Sequence, residues 1–299
     1  MTHFSLWRRS LLTLFIAASA TGLTACGGGS GGGSGPDNDN ANQNDPDTSA
    51  PDPVSGGDWY QPAPGVSWYW QLSGDLNTGY SAEIYDIDLF DNSASVIADL
   101  QAGGHKVICY FSGGSYEDWR DDAGEFAAAD LGNDLDGWEG ERWLDIRSAN
   151  VKRIMQERLN FAVEQGCDGV EPDNMDGYAN SNGVGLSAAD QLSYNRFIAN
   201  EAHTRGLAVA LKNDLDQVTQ LVDYFDFAVN EQCAQYDECD LLDPFVAAGK
   251  AVLQAEYASE YQSTSGLALL CNEMAGSEFS TLVLPLDLDD SVAPRGCDD

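Results

Sequence analysis

From Ser67 to Leu286 the chain alternates two kinds of segment. Short apolar runs bounded by turn residues predict strands, and longer runs with apolar residues at helical spacing predict helices. The strands are expected at Ser67–Leu72, Glu83–Ile87, Lys106–Phe111, Gly169–Pro172, Ala208–Lys212, Phe227–Asn230, Ala251–Ala255 and Thr281–Leu286. The helices are expected at Ala94–Gln101, Val151–Gln165, Ala188–Arg205, Gln217–Tyr224, Leu242–Ala248 and Gly266–Met274. In the second helix Val151, Ile154, Met155, Leu159, Ala162 and Val163 share one face, and Gly166 and Gly206 follow their helices where a left-handed cap belongs. Eight strands in this alternation, over roughly 240 residues, read as a single α/β domain, a (β/α)8 TIM-type barrel. A doubly wound open sheet is the alternative. No Gly-x-Gly-x-x-Gly follows a strand, so no dinucleotide cofactor is expected.

In a barrel the carboxyl ends of the strands converge on one mouth. Here those ends carry Gln71, Asp86, Asp88, Tyr110, Ser112, Glu171, Asp173, Lys212, Asn213, Asn230, Glu231, Glu256, Tyr257 and Asp287, whereas Ala208, Ala251 and Thr281 at the opposite ends form no comparable set. The densest stretch runs from Gly166 to Tyr178, where Glu171, Asp173 and Asp176 crowd together just past a strand. Like charges that close repel, so their concentration at a strand end marks a site.

Two carboxylates facing across a mouth suffice for glycosidic hydrolysis, one protonating the leaving oxygen and the other acting as nucleophile or base. Asp173 ends the fourth strand and Glu231 the sixth. Strands two apart lie roughly 10 Å from each other, so inward side chains can close to the ~5–9 Å that this chemistry uses. Asp173 and Glu231 are the catalytic candidates. Glu171 and Asp176 would tune charge or bind substrate, together with Gln71, Asp86, Tyr110, Ser112, Asn174, Tyr178, Lys212, Asn213, Glu256 and Tyr257. Asp173 and Asp176 do not fit the spacing of a calcium loop, no Cys-x-x-Cys pair occurs, and only three histidines exist, so no metal or other cofactor is expected. Trp68, Trp70, Tyr85, Tyr116, Trp119, Trp138 and Trp143 add ring faces near strand ends and loops, suited to stacking on sugars or cations.

The ends of the chain predict export. Arg8 and Arg9 precede a short apolar run from Leu11 to Ala18, and Leu23-Thr24-Ala25-Cys26 has the form of a bacterial lipobox. Residues 1–25 are therefore expected to be a lipoprotein signal, with Cys26 lipidated and Gly27 rather than Asp after it, favouring the outer membrane. Residues 26–57, rich in Gly, Ser, Asp and Pro, read as a tether of roughly 30 Å root-mean-square span, leaving 58–299 as the folded body. Without the signal, 12 basic and 49 acidic residues leave a charge of −37, which disfavours nucleic acid and anionic lipid as partners and suits a cationic ligand. Beyond Cys26, six cysteines remain in an exported body, where disulfides form in any of fifteen pairings. Cys233 and Cys239 could close a small loop, Cys271 and Cys297 could clip the C-terminus, and Cys109 and Cys167 fall on adjacent strands.

Several ordered motifs together resemble glycoside hydrolase family 114, the endo-α-1,4-polygalactosaminidases. They are Trp70-Gln71-Leu72-Ser73-Gly74, the run Lys106 to Ser115, Trp143-Leu144-Asp145-Ile146-Arg147, Glu171-Pro172-Asp173-Asn174, Leu211-Lys212-Asn213 and Asn230-Glu231-Gln232-Cys233. The resemblance covers nearly the whole body. It implies a (β/α)8 barrel whose catalytic acids match Asp173 and Glu231, and an endo-acting cut in an α-1,4-linked galactosamine polymer that is partly de-N-acetylated and so cationic. The chain is expected to act as a monomer. A polysaccharide-binding lipoprotein without activity, or a hydrolase of another α-glycan, is the alternative.

Overall fold

The computed structural model describes residues 51–297. The expected signal, the lipidation site Cys26 and most of the tether lie outside the described residues.

The elements in chain order are β1 (Trp68–Gln71), β2 (Ile84–Asp88), α1 (Ala94–Ala102), β3 (Lys106–Ser112), β4 (Ser115–Glu117), β5 (Leu131–Asp134), β6 (Glu141–Leu144), α2 (Ala149–Gln165), β7 (Gly169–Asp173), α3 (Ala188–Thr204) and β8 (Ala208–Lys212). They continue with α4 (Val218–Leu221), β9 (Phe227–Glu231), α5 (Cys233–Tyr236), α6 (Asp243–Ala247), β10 (Val252–Glu256), α7 (Thr264–Glu273), β11 (Ser280–Val283) and β12 (Arg295–Gly296). One sheet runs β1-β2-β3-β7-β8-β9-β10-β11, all parallel, with β12 antiparallel on its end. Its two ends meet. Trp68 Nε1 donates to Ser280 O at 2.8 Å, Ser280 Oγ to Val66 O at 2.6 Å, and Gly65 N to Glu278 O at 3.0 Å. The fold is thus the expected (β/α)8 barrel, with its last seam stitched largely by side chains.

The strands are buried on both faces because each divides two cores. Trp68, Trp70, Ile84, Ile108, Ala208, Ala210, Phe227 and Val229 fill the barrel interior. Their alternates Tyr69, Tyr85, Val107, Val209, Leu211 and Ala228 pack outward against helices. Helix α2 buries Val151, Ile154, Met155, Leu159 and Ala162 as its spacing predicts and ends at Gly166 in left-handed backbone, φ 86°. Val163, expected on that face, is 45 % exposed, and Arg158 is buried in its stead. The guanidinium is satisfied there by Asp122 Oδ2 at 2.8 Å, Ser112 O at 2.8 Å and Glu117 Oε2 at 3.5 Å.

Pattern reading also passed over a three-stranded antiparallel sheet, β4-β6-β5, inserted between β3 and α2. Disulfides join Cys109 to Cys167, Cys233 to Cys239 and Cys271 to Cys297. At the barrel floor Trp59 stacks on His203 with centroids 4.1 Å apart and donates to Asp226 at 2.7 Å, while Ala251 N donates to Pro62 O at 3.1 Å. The docked segment starts before Asp58: Val54 N donates to Asn200 Oδ1 at 2.8 Å and Tyr224 OH to Pro51 O at 2.8 Å. Residues 51–54, expected as tether, therefore pack with the barrel. Among the described residues, no helix is long and apolar enough to cross a membrane.

Candidate active site

Strand alternation decides what reaches the mouth. On β2, β3, β8 and β9 the residues two beyond interior Ile84, Ile108, Ala210 and Val229 are Asp86, Tyr110, Lys212 and Glu231. On β7, Glu171 lies level with Tyr110 and Asp173 level with Ser112. An apolar lower interior thus gives way to a polar layer at the carboxyl ends.

Lys212 is the centre of that layer. Its Nζ stands 3.2 Å from Glu171 Oε1, 3.0 Å from Asp173 Oδ1 and 3.3 Å from Glu231 Oε2. It also sits 4.9 Å from the centroid of the Trp70 ring. Burial favours the neutral amine, but Asp173, Glu231 and Glu171 outweigh it and carry the pKa well above that of an ordinary lysine. Lys212, expected among the substrate-binding residues, is in this geometry the counter-ion of three acids.

Asp173 is held as an anion. Burial opposes its charge, yet Lys212, the Tyr110 hydroxyl at 2.8 Å and the Asn174 N–H at 2.7 Å keep its pKa below the ordinary value. Burial and the charge of Asp173 push the Tyr110 phenol upward, so it remains a donor. Glu231 accepts from Tyr257 OH at 2.7 Å and Asn213 Nδ2 at 3.1 Å. With contacts of 3.0 and 3.3 Å to one nitrogen, the nearest oxygens of Asp173 and Glu231 are at most 6.3 Å apart.

Behind them, Asp86 and Glu171 are fully buried, and among the described residues no neutral donor reaches either carboxyl. Each acts on the titration of the other. Burial, then the charge of Glu171, drives Asp86 well above its ordinary pKa; burial raises Glu171 to about 7 against the pull of Lys212. Burial beside Glu171 thus favours the protonated form of Asp86.

The turns after these strands are tightly specified. Asn174, Asn213, Asp214 and Gln232 follow β7, β8 and β9 in left-handed backbone, with φ of 60°, 49°, 50° and 66°. Gly113 and Gly114 donate their N–H groups to Asp173 O at 2.8 and 3.0 Å. A Cβ on Gly114 would overlap the Asn174 carbonyl, so only glycine allows this approach.

Other expected contacts fall elsewhere. Gln71 spends its amide on Ser73 O, Asp75 O, Asn77 N and Tyr69 OH, bracing the loop after β1. Ser112 is buried and accepts from Asn174 at 3.1 Å, steadying the turn after Asp173. Glu256 is fully buried and accepts from Ala234 N and Gln254 Nε2, each at 2.9 Å. Asp176 and Tyr178 join Asp214 in a second acidic group, which pattern reading missed. Burial and Asp173 raise Asp176 to about 6, and burial and Asp176 raise Asp214 to about 8, while Asn195 Nδ2 donates to Asp214 at 2.8 Å. Its one signal was an acid directly after Lys212-Asn213. Among the described residues no cluster of His, Cys, Asp and Glu could hold a metal ion.

Two carboxylates about one ammonium, one held charged and both partly open to solvent, are equipped for acid–base and nucleophilic work on a glycoside. Residues 48–297 match the family model described as glycoside-hydrolase family GH114. The chain is similar to the crystal structure of Aspergillus fumigatus Ega3 in complex with galactosamine, at 47 % identity and a TM-score of 0.76, over 80 % of this chain and 97 % of that one. The glycoside hydrolase domain of PelA from Pseudomonas aeruginosa shares the fold, at 14 % identity and a TM-score of 0.60, over 75 % of this chain and 96 % of that one. No curated protein matches the chain. By the family match and the likeness to Ega3 along most of its length, this chain belongs to glycoside-hydrolase family GH114 and is a glycoside hydrolase.

Proposed function

We propose that the chain is an endo-acting glycosidase that cuts α-1,4-linked, galactosamine-containing polysaccharide, with Asp173 as nucleophile and Glu231 as acid and base. The observation that carries this reading is the pair of carboxylates gathered on Lys212, at contacts of 3.0 and 3.3 Å. That bound of 6.3 Å falls short of the ~6.5–9.5 Å that inversion needs to admit water between the groups, so retention is the outcome we propose. Asp173 attacks the anomeric carbon, the glycosidic C–O bond breaks, and Glu231 gives its proton to the leaving oxygen. Water then attacks the anomeric carbon of the glycosyl ester, Glu231 takes the proton, and Asp173 leaves as a carboxylate.

The substrate class rests on the galactosamine bound to Ega3 and on the acidic body of this chain. A charge of −35 for the whole chain concentrates a polycation near the mouth and should lose that effect with salt. Export as a lipoprotein through Cys26, to the outer membrane and as a monomer, belongs to the same reading. It is supported by the lipobox and by the pairing of six cysteines into three disulfides, which suits an oxidising compartment.

The test is Asp173→Asn and Glu231→Gln, assayed on partly de-N-acetylated α-1,4-galactosamine polymer with products sized and their anomers followed by proton NMR. Each variant should lose at least about 10³-fold in kcat with its melting transition intact. Wild-type rates in both variants would sink the assignment; binding of oligomers by the wild type with no shorter products would show a binding protein instead.

A further inference from the structure

The insertion between β3 and α2 holds a cavity of about 620 Å³, walled by the antiparallel sheet β4-β6-β5 and its hairpin. Tyr116 and Trp138 give it ring faces, and Trp138 is 41 % exposed. Asp118, Asp134 and Glu139 line it with exposed carboxylates. Arg142 is the basic residue of the wall, and it is engaged with Asp134 at 3.6 Å and Gly132 O at 3.1 Å. Gly140, at φ 96°, makes room for this arrangement: a Cβ there would come within 2.7 Å of Asp118 Oδ1 and 3.1 Å of the Trp119 ring. Trp119, 51 % exposed, therefore lies against the same hairpin. Two neighbouring tryptophans that expose 41 % and 51 % of their surface amid acids suit a ligand with an apolar face and positive charge.

A chain of hydrogen bonds links the cavity wall to the mouth. Glu141, on its wall, accepts from Ser115 Oγ at 2.7 Å; Ser115 Oγ lies 2.6 Å from Ser112 Oγ and 3.1 Å from Asn174 Nδ2, and Asn174 follows Asp173. Glu141 itself is pushed up to about 7, by burial first and with Asp173 among the contributing charges. Four acids and one arginine line the cavity, so a cationic occupant is the complementary one.

We propose that this cavity is a distal subsite for one amino-sugar unit of the polymer being cut, its ring face on Trp138 and its ammonium toward Asp118, Asp134 and Glu139. The proposal rests on the reading of the substrate as a cationic galactosaminan. An endo-acting enzyme grips its chain at units remote from the cut, and such contacts add uniform binding that lowers KM without changing kcat.

The experiment uses the full chain and partly de-N-acetylated α-1,4-galactosamine oligosaccharides of graded length, with Trp138→Ala, Trp138→Phe and Glu139→Gln beside the wild type. On long oligomers Trp138→Ala should raise KM about tenfold with kcat within about twofold, and Trp138→Phe should restore most of the loss. On the shortest oligomer cut, all four proteins should agree. Glu139→Gln should weaken the salt dependence of KM. Wild-type cleavage with the same KM in Trp138→Ala at every length overturns the subsite and leaves the glycosidase standing. An equal fall in kcat at every length, or fully N-acetylated oligomers bound as tightly as the deacetylated ones, also overturns it. So does a Trp138→Ala chain altered only in its sedimentation, which would make the face a contact between copies. A wild type that cuts none of the oligomers overturns the galactosaminan reading itself, and the subsite with it.

Discussion

Replacing Lys212 with methionine keeps an unbranched side chain beside Trp70 but removes the ammonium shared by Glu171, Asp173 and Glu231 at 3.2, 3.0 and 3.3 Å. Removing one partner of a buried ion pair costs about 3–5 kcal/mol, because the remaining charge is left unpaired. The three contacts share one nitrogen, so their costs do not add. The variant should therefore lose about 3–5 kcal/mol at neutral pH. Without the ammonium the acids have folded pKa values above their unfolded ones, so the folded state binds more protons and stability falls as pH rises between the two values. At pH 5 the acids can take up protons instead, and the loss should shrink by about 1.4 kcal/mol or more, the equivalent of one pKa unit. Activity should respond in the opposite sense. Asp173, now held below its ordinary pKa chiefly by Lys212, would protonate in the working range. The acid limb of kcat/KM should move to higher pH, with a loss that is greatest near pH 5 and narrows as pH rises. Rate profiles from about pH 4 to 9, with calorimetry at both ends, supply the readout. An unmoved acid limb at full kcat would refute the argument that Lys212 keeps Asp173 charged.

Three further outcomes are expected. Gly114→Ala should push the Asn174 carbonyl aside and with it Asp173, lowering kcat about 10²-fold while the barrel still melts cooperatively; a wild-type rate would show that the turn has slack. Glu171, Asp214 and Glu141 are raised to about 7, 8 and 7, so the folded protein holds protons that the unfolded chain releases. Stability is therefore full below about pH 4.5 as far as these groups go and declines toward pH 8, and a melting temperature that rises between pH 5 and 8 contradicts those raised values. Exchanging Cys109 and Cys167 for serine opens a loop of sequence separation 58 and should cost about 4 kcal/mol, read from denaturant midpoints against the oxidised protein.

The barrel was legible because its strands are short, apolar and regularly spaced. Ala208–Lys212 is placed to the residue, and β2, β3, β7, β9 and β10 each end one residue beyond the expected range. Asp173 and Glu231, expected to end their strands, are the last residues of β7 and β9. The β4-β6-β5 sheet was illegible for a physical reason. Strands of three and four residues set among Gly and Asp carry too few alternations to register, and they exist because the barrel offers them a partner surface. Arg158 is a similar case. Helical spacing puts it on the buried face, but only the structure supplies the Asp122 and Glu117 that allow a guanidinium there. At the mouth, residue types pointed to the layer, yet not to its internal division of labour. Gln71 and Glu256 sit at strand ends as predicted and turn to local bracing, because side-chain amides and acids bind the nearest free backbone donor or acceptor.

The segment at the barrel floor has a practical consequence. Pro51, Val54, Trp59 and Pro62 are fastened near the start of the strands, through Tyr224, Asn200, Asp226 and Ala251, whereas Asp173 and Glu231 stand at the finish of theirs. The polypeptide thus enters on the face remote from the chemistry. A bead, an affinity handle or a fused partner attached ahead of Pro51 can hold the enzyme from below and leave the working side clear for a bulky polymer. Cys297, clipped to Cys271, donates its N–H to Thr281 O near the start of β11, so the described chain also finishes on the side away from Asp173 and Glu231.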